Sequence, residues 1–395
     1  MNYPISIAKE ELESRQADAW IIVDYENRNP SITGFLGEKM LTRKIIMAIE
    51  KAHAYIICHS IDKVFLDVPS VTDRFELRVY NNWHEMLELE KQSFSGYQKV
   101  LMDISEHGLM PRVSLADYGS VKFVEDMGIK IESSCNILQK INAAYDKESY
   151  ELQLEACKKT LMIKDEAFAL IGSEIKKNGR TDEYTIQQFI CRRFKEEGMT
   201  YDEAPIVAIG KNASNPHYGP SESIYSEIKE GDLVLIDMWA KMDDPKGVYA
   251  DITWMAYVGD EIPEEMAKRF MVLKNAIDEG FKFIQDNFET RSVMGYEVDD
   301  VVRKVVNDNG YGQYFTHRTG HNIAVDVSPH GPGANIDNYE SHDTRALIEG
   351  TSFSLEPGIY APDFGMRSET NVAIVNNQPV IVAGRQQNII KISLK

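Results

Sequence analysis

Five of the nine histidines fall after residue 200, at His217, His317, His321, His330 and His342, and they share that stretch with acids set into apolar runs. In Asp232-Leu-Val-Leu-Ile-Asp237, period-two alternation puts Leu233, Leu235 and Asp237 on one face, so a carboxylate ends an apolar row. Val248 to Val258 repeats the device, with Asp251 sharing a face with Thr253, Met255 and Tyr257. The turn-rich Met242-Asp-Asp-Pro-Lys-Gly247 between them predicts a hairpin across which Asp237 and Asp251 face each other. A buried, unpaired carboxylate is costly, and a metal ion is one common way to offset the cost.

Further along, His317-Arg-Thr-Gly-His321 sets two histidines four apart, but Thr319 and Gly320 argue for extended or looped chain. This is not the helical His-Glu-x-x-His zinc motif. Ser352-Phe-Ser-Leu-Glu356, halted by Pro357-Gly358, and Arg367 to Ile374 predict two more strands, carrying Glu356 and Glu369. Asp237, Asp251, His321, Glu356 and Glu369 then give four carboxylates and one imidazole on neighbouring strands. Two divalent cations would balance that charge, and an oxygen-rich set with one nitrogen suits Mn²⁺, Co²⁺, Fe²⁺ or Zn²⁺. Two such ions about 3.5–4 Å apart can share a water, lower its pKa and polarise a carbonyl, which is the apparatus of metal-assisted hydrolysis.

Blander readings compete. Asp237 and Asp251 taken alone fit hydrogen-bonded structural acids, His217 and His317 could cap strands, and His330 could be a turn residue beside two glycines. His342 reads as surface loop, His53, His59, His84 and His107 as structural, and Trp239, Tyr249 and Trp254 as core.

The elements that must position these groups are legible as two domains, a small α/β domain over 1–146 and a second over 147–395. In the first, strands are predicted at Asp18–Asp24, Ala54–Cys58, Lys99–Asp103 and Val113–Asp117, with helices at Trp83–Gln92 and Ser120–Met127. In the second, helical spacing predicts a long helix over Lys147–Lys177 ended by Asn178-Gly179, another from Thr181 to Glu197, and a third starting at Pro263.

The stretches Asn215-Pro-His-Tyr218, Leu235-Ile-Asp237, Ala250-Asp-Ile-Thr253, His317-Arg-Thr-Gly-His321, Ser354-Leu-Glu-Pro-Gly-Ile-Tyr360 and Phe364-Gly-Met-Arg-Ser-Glu369 resemble, in this order, the pita-bread metallopeptidase family of methionine aminopeptidase, aminopeptidase P, prolidase and the metal-free creatinase. Ala17-Asp-Ala-Trp-Ile-Ile-Val and Ile32-Thr-Gly-Phe35 are similar to the creatinase-type N-terminal domain. The resemblance implies an α+β fold: a C-terminal pita-bread domain, a duplicated α+β unit with a curved antiparallel sheet covered by helices, preceded by a creatinase-type α/β domain.

It also implies roles. Asp237 would chelate one metal, His321 and Glu356 the other, and Asp251 and Glu369 would bridge. Glu356 would shuttle a proton from a metal-bridging hydroxide to the leaving amine. His217 and His317 would steady substrate and tetrahedral intermediate, and Arg367 would orient the bridging carboxylate. The family's Gly-x-Gly after the His ligand is here Asn322 and Ala324, and Ser328 stands where it has a substrate-contacting His, so His330 is expected to take over.

The implied function is dinuclear metal-dependent exopeptidase action on Xaa-Pro bonds, with Mn²⁺ or Co²⁺ foremost and Zn²⁺ or Fe²⁺ as alternatives, a peptide substrate with proline after the scissile bond, and a homodimer. A non-catalytic peptide-binding relative and a creatinase-like C–N hydrolase are the competing readings, and neither needs the full ligand set.

Composition narrows the partners. Forty-three Lys plus Arg against 62 Asp plus Glu give a net charge of −19, which repels nucleic acid and anionic lipid alike. Cys58, Cys135, Cys157 and Cys191 are far apart, without Cys-x-x-Cys, and read as reduced packing residues. With no apolar run long enough for a membrane span and no basic-then-apolar leader, a cytoplasmic location is the expectation.

Overall fold

The computed structural model describes residues 5–395, and the chain divides into two compact units between Asn142 and Ala143. The second unit starts before the helix that marks it in the sequence because the lead-in is tied down: Tyr145 N donates to Gly350 O at 2.8 Å and Tyr145 Oη to Gln153 at 2.8 Å.

The first unit is built on a six-stranded mixed sheet. Ala19–Tyr25 lies between the antiparallel Lys44–Glu50 and the parallel Lys99–Met102; Ala54–His59 and Glu76–Tyr80 extend one side and Lys130–Ser133 the other. Ala19, Ile21 and Val23 pack into one apolar cluster and Trp20 and Ile22 into another, so both faces are covered and the strand reads as a continuous apolar run. The strand expected at Val113–Asp117 is instead a loop. Its Leu115 and Ala116 N–H groups both donate to Asp103 O instead of to a ladder, and Asp117 turns its carboxylate onto Ser120 N to cap the helix Tyr118–Asp126.

The second unit repeats one plan twice. Helices Lys147–Asn178 and Glu183–Glu196 precede an antiparallel meander of Ile206–Ile209, Leu233–Met242 and Ala250–Val258; helices Glu264–Phe288 and Gly295–Asp308 precede a second meander of Asn322–Ile323, Ser352–Leu355 and Thr370–Val375. This is the duplicated α+β arrangement expected from the resemblance. The long helix is capped as its sequence dictates: the Asp146 side chain accepts from Ser149 N, and Gly179 takes the left-handed conformation at φ 79°.

Burial of both sheet faces fixes the register. Val234, Ile236 and Met238 pack with the first helix pair, whereas Leu233 and Leu235 pack with the second, so a slip by one residue would exchange the two sets. All four cysteines are buried, and none of them is in a disulfide. Among the described residues, no helix is long and apolar enough to cross a membrane.

Candidate metal centre and active-site cavity

Asp237 and Asp251 stand on the two long strands of the first meander. The register pairs Asp237 with Thr253 and Trp239 with Asp251, so the acids are diagonal neighbours on one face, not directly opposite as the hairpin reading expected. Direct opposition would shift the pairing by two residues and separate Leu235 from Met255, which pair within the apolar core. Asp251 is set by its backbone: its N–H donates to Asn371 Oδ1 at 2.9 Å and its carbonyl accepts from Asn371 Nδ2 at 2.6 Å.

The second meander supplies the rest. Ser354 N donates to His321 O at 2.9 Å and Glu356 N to Thr319 O at 2.8 Å, which brings His321 beside Glu356. Gly320 permits this approach, since a β-carbon there would lie 2.0 Å from Ser354 O. Asp299, fully buried, accepts from Thr319 N at 3.1 Å and from the Arg303 guanidinium, pinning the loop from outside. Glu369 falls in the break between the strands Phe364–Arg367 and Thr370–Val375, where its N–H leaves the second meander and donates to Thr253 O at 3.1 Å.

Carboxylate oxygens of Asp251 and Glu369 and a ring nitrogen of His321 lie within 4.8 Å of one another, and His321 Nε2 is 3.4 Å from both Asp251 Oδ2 and Glu356 Oε1. His321 Nδ1 points at Asn322 O at 3.2 Å; a carbonyl can only accept, so the proton sits on Nδ1 and the Nε2 lone pair faces the carboxylates. Acceptors therefore meet acceptors. Glu369 Oε1 is buried without a hydrogen-bond partner, and the single Thr253 hydroxyl hydrogen lies within reach of both Asp237 Oδ1 at 3.0 Å and Glu369 Oε2 at 2.9 Å.

The electrostatics follow from that crowding. Burial first, then the neighbouring carboxylates, pushes Asp251 and Glu369 well above the usual carboxylate range. Burial also pushes Glu356 up to about 7, against the pull of Arg367. Burial holds the His321 imidazole well below its ordinary value, so it stays neutral. Excess lone pairs, an orphaned buried oxygen and a neutral imidazole are what a divalent cation resolves, and the residues present fit one.

All five of these groups, with His217, His317, His330 and Arg367, line one cavity of about 490 Å³. His217 is exposed on a loop whose base is held by the buried Glu183, which accepts from Tyr218 Oη at 2.6 Å, Ile209 N at 2.8 Å and Ser226 N at 2.7 Å. The His330 ring stands edge-on to His321 with centroids 4.0 Å apart. Asn322 explains its place: Gly331 N donates to Asn322 O at 2.7 Å and Gly333 N to Asn322 Oδ1 at 2.8 Å, folding the 328–333 loop back over the ligand histidine. His342 lies away from the cavity lining, against Tyr296.

Two sequence expectations change. Arg367 bonds Asp237 Oδ2, with Nε to Thr253 Oγ1 at 3.0 Å and Nη1 to Tyr360 Oη at 2.9 Å, and makes no hydrogen bond to Glu369. Its reach across to the first meander, not its position two residues before Glu369, decides its partner. His317 has both nitrogens engaged, Nδ1 with Arg318 O at 2.6 Å and Nε2 with Tyr360 Oη at 2.8 Å, so in this arrangement it has no donor to offer a substrate. Burial, with Arg367 nearby, lowers it to about 3 and keeps it neutral. Tyr360, Thr253, Asn371, Glu183 and Asp299 were not singled out from sequence. Tyr360 closes the Glu356-Pro-Gly-Ile-Tyr run and Thr253 the Ala250-Asp-Ile-Thr run; the others needed tertiary contacts to be seen.

The profile described as metallopeptidase family M24 matches residues 155–376. A Xaa-Pro dipeptidase of Lactobacillus delbrueckii subsp. lactis is 32% identical over 201 residues, 50% of each chain, so this chain spans about half the length of that relative. A putative Xaa-Pro aminopeptidase of Mycoplasma genitalium is 25% identical over 384 residues, 95% of each. Among solved structures, dipeptidase PepE from Mycobacterium ulcerans aligns over 98% of this chain and 97% of its own, with a TM-score of 0.62 and 19% identity, which speaks for the fold.

Proposed function

Because this chain belongs to metallopeptidase family M24, we propose that it is an exopeptidase that cleaves the bond between a first residue and a following proline, using two divalent cations held by Asp237, Asp251, His321, Glu356 and Glu369. The observation that carries the reading is the neutral His321 Nε2 facing Asp251 and Glu356 at 3.4 Å each, acceptor against acceptor. The relatives named for Xaa-Pro dipeptide and aminopeptide cleavage supply the proline preference. Mn²⁺ or Co²⁺ suits this set best, with Zn²⁺ or Fe²⁺ as alternatives. When bound, the pair would supply an activated water and a Lewis acid for the scissile carbonyl.

The protein groups supply the remainder. Glu356 Oε1 accepts from Ser354 Oγ at 3.1 Å, which leaves Oε2 to carry the proton that the leaving nitrogen requires. His217 and His330, at the cavity wall, are the groups placed to touch substrate. His317 is a positioning residue: it holds Tyr360, which holds Arg367, which holds Asp237. The competing readings, a non-catalytic peptide-binding relative and a creatinase-like hydrolase, gain nothing from a complete donor set. The four buried thiols, none in a disulfide, suit a cytoplasmic setting, and a homodimer is the assembly we expect.

Protein stripped of metal should lose hydrolysis of Ala-Pro and Ala-Pro-Ala and regain it on addition of Mn²⁺ or Co²⁺. Turnover that survives stripping overturns the reading.

A further inference from the structure

Besides the four carboxylates of the metal group, Asp202, Glu203 and Glu340 line the cavity, against two guanidinium groups, Arg318 and Arg367. Both guanidiniums are already engaged. Arg367 is held by Asp237. Glu340 takes Arg318 Nη1 at 3.2 Å and Arg318 N at 3.0 Å. Asp202 is fixed in the wall by Trp239 Nε1 at 2.7 Å, and Trp239 lies directly across the strand pair from Asp251, so an anchored carboxylate stands beside the metal group. Counting histidines as neutral, even two divalent cations leave the cavity negative.

A negative, partly enclosed cavity concentrates cations and repels anions. A peptide's free amino terminus is a cation. A Xaa-Pro dipeptide also carries its carboxylate one residue beyond the scissile bond, inside the cavity; in a longer peptide that position is a neutral amide. Selection against a ligand by like charge is as effective as selection for another by contact.

We propose that this cavity selects by charge: it takes the free amino terminus of peptides of three or more residues and disfavours the Xaa-Pro dipeptide. The inference rests on the Xaa-Pro reading and narrows its substrate class. Asp202 is the ammonium anchor, and Glu340 is a specificity residue that acts by neutralising Arg318.

The test compares Ala-Pro, Ala-Pro-NH₂ and Ala-Pro-Ala on the metal-loaded protein. The amide differs from the dipeptide only in the terminal charge. Its kcat/KM, and that of the tripeptide, should exceed the dipeptide's by about tenfold or more, and the gap should shrink with added KCl. Glu340→Gln, which releases Arg318, should narrow the gap by raising the dipeptide value, and Asp202→Asn should raise KM for Ala-Pro-Ala. Calorimetric binding of Ala-Pro and Ala-Pro-NH₂ reads the same contrast without turnover. Equal or better handling of the dipeptide, in turnover or in binding, overturns the proposal. If none of the three is cleaved, the Xaa-Pro reading fails, and the binding contrast still decides this one.

Discussion

Arg367 reaches from the second meander to Asp237 in the first, so that Asp237 is gripped on both oxygens, Oδ2 by the guanidinium and Oδ1 by Thr253 Oγ1 at 3.0 Å. Arg367 is the cation buried among the four carboxylates, and their field pushes its pKa well above an already high value despite burial. Removing it leaves like charges uncompensated. Arg367→Gln should therefore destabilise metal-free protein by about 3–5 kcal/mol, the usual cost of breaking a buried pair. Divalent cation should restore part of the loss, because it supplies the missing positive charge. Thermal unfolding with and without Mn²⁺ measures both, and unchanged stability of the metal-free variant would mean the pair does not hold the site.

Glu356→Gln separates chemistry from fold. The amide keeps the shape and removes the proton that the leaving nitrogen needs, so kcat should fall by about 10²–10⁴-fold with the far-UV spectrum unchanged. In metal-free protein the same change should stabilise. Burial raises this carboxyl to about 7, so ionising it in the fold costs stability as pH rises from the ordinary carboxylate range toward that value. The Gln variant should thus gain over the parent at neutral pH and lose the advantage below about pH 4. A variant that keeps full turnover rejects the proton role.

The alternation in Leu233–Asp237 and the acids at strand ends were legible because a period of two is a one-dimensional signal, and the helix end at Asn178-Gly179 because capping chemistry is local. Val113–Asp117 misled for a matching reason. Val113 is buried, but the N–H groups of Leu115 and Ala116 answer to Asp103 O across the unit, which no window of sequence contains. The same limit hid the Thr253 hydroxyl between Asp237 and Glu369, the Asn371 clamp on Asp251 and the true partner of Arg367. Each joins residues more than 100 apart, apart from the Thr253–Asp237 contact within the hairpin. Asn322, which stands where the resembled family has a glycine, is the post that anchors the His330 loop.

Glu183 is a buried acid outside the proposed ligand set, and it accepts from three separate segments around the His217 loop. Glu183→Ala should cost roughly 3 kcal/mol or more, since several donors lose a charged acceptor at once. The loop should loosen before the core does, so KM for Xaa-Pro peptides should rise more than kcat falls. Glu183→Gln, which keeps one acceptor oxygen, should recover part of the KM effect. Limited proteolysis between residues 210 and 226 reads the loop directly, and a cleavage pattern identical to the parent would sink the claim.

In the first unit, Glu11 ties the helix Ile5–Arg15 to Cys135–Asn142, taking Asn136 Nδ2 at 2.9 Å and Lys140 Nζ at 3.4 Å, with Arg15 Nε at 3.3 Å on its own helix. Burial alone would raise this carboxyl; the Asn136 hydrogen bond, Lys140 and Arg15 outweigh it, and the net shift is downward. A carboxyl lowered in the fold binds fewer protons there than in the unfolded chain. Its contribution is fully present above the ordinary glutamate value of about 4.3 and is lost as pH falls through the lowered one. Glu11→Gln should therefore melt earlier than the parent at pH 7 in the presence of chelator, and the two curves should converge toward pH 3. A difference that stays constant across that range would mean the carboxylate's charge is not what joins these helices.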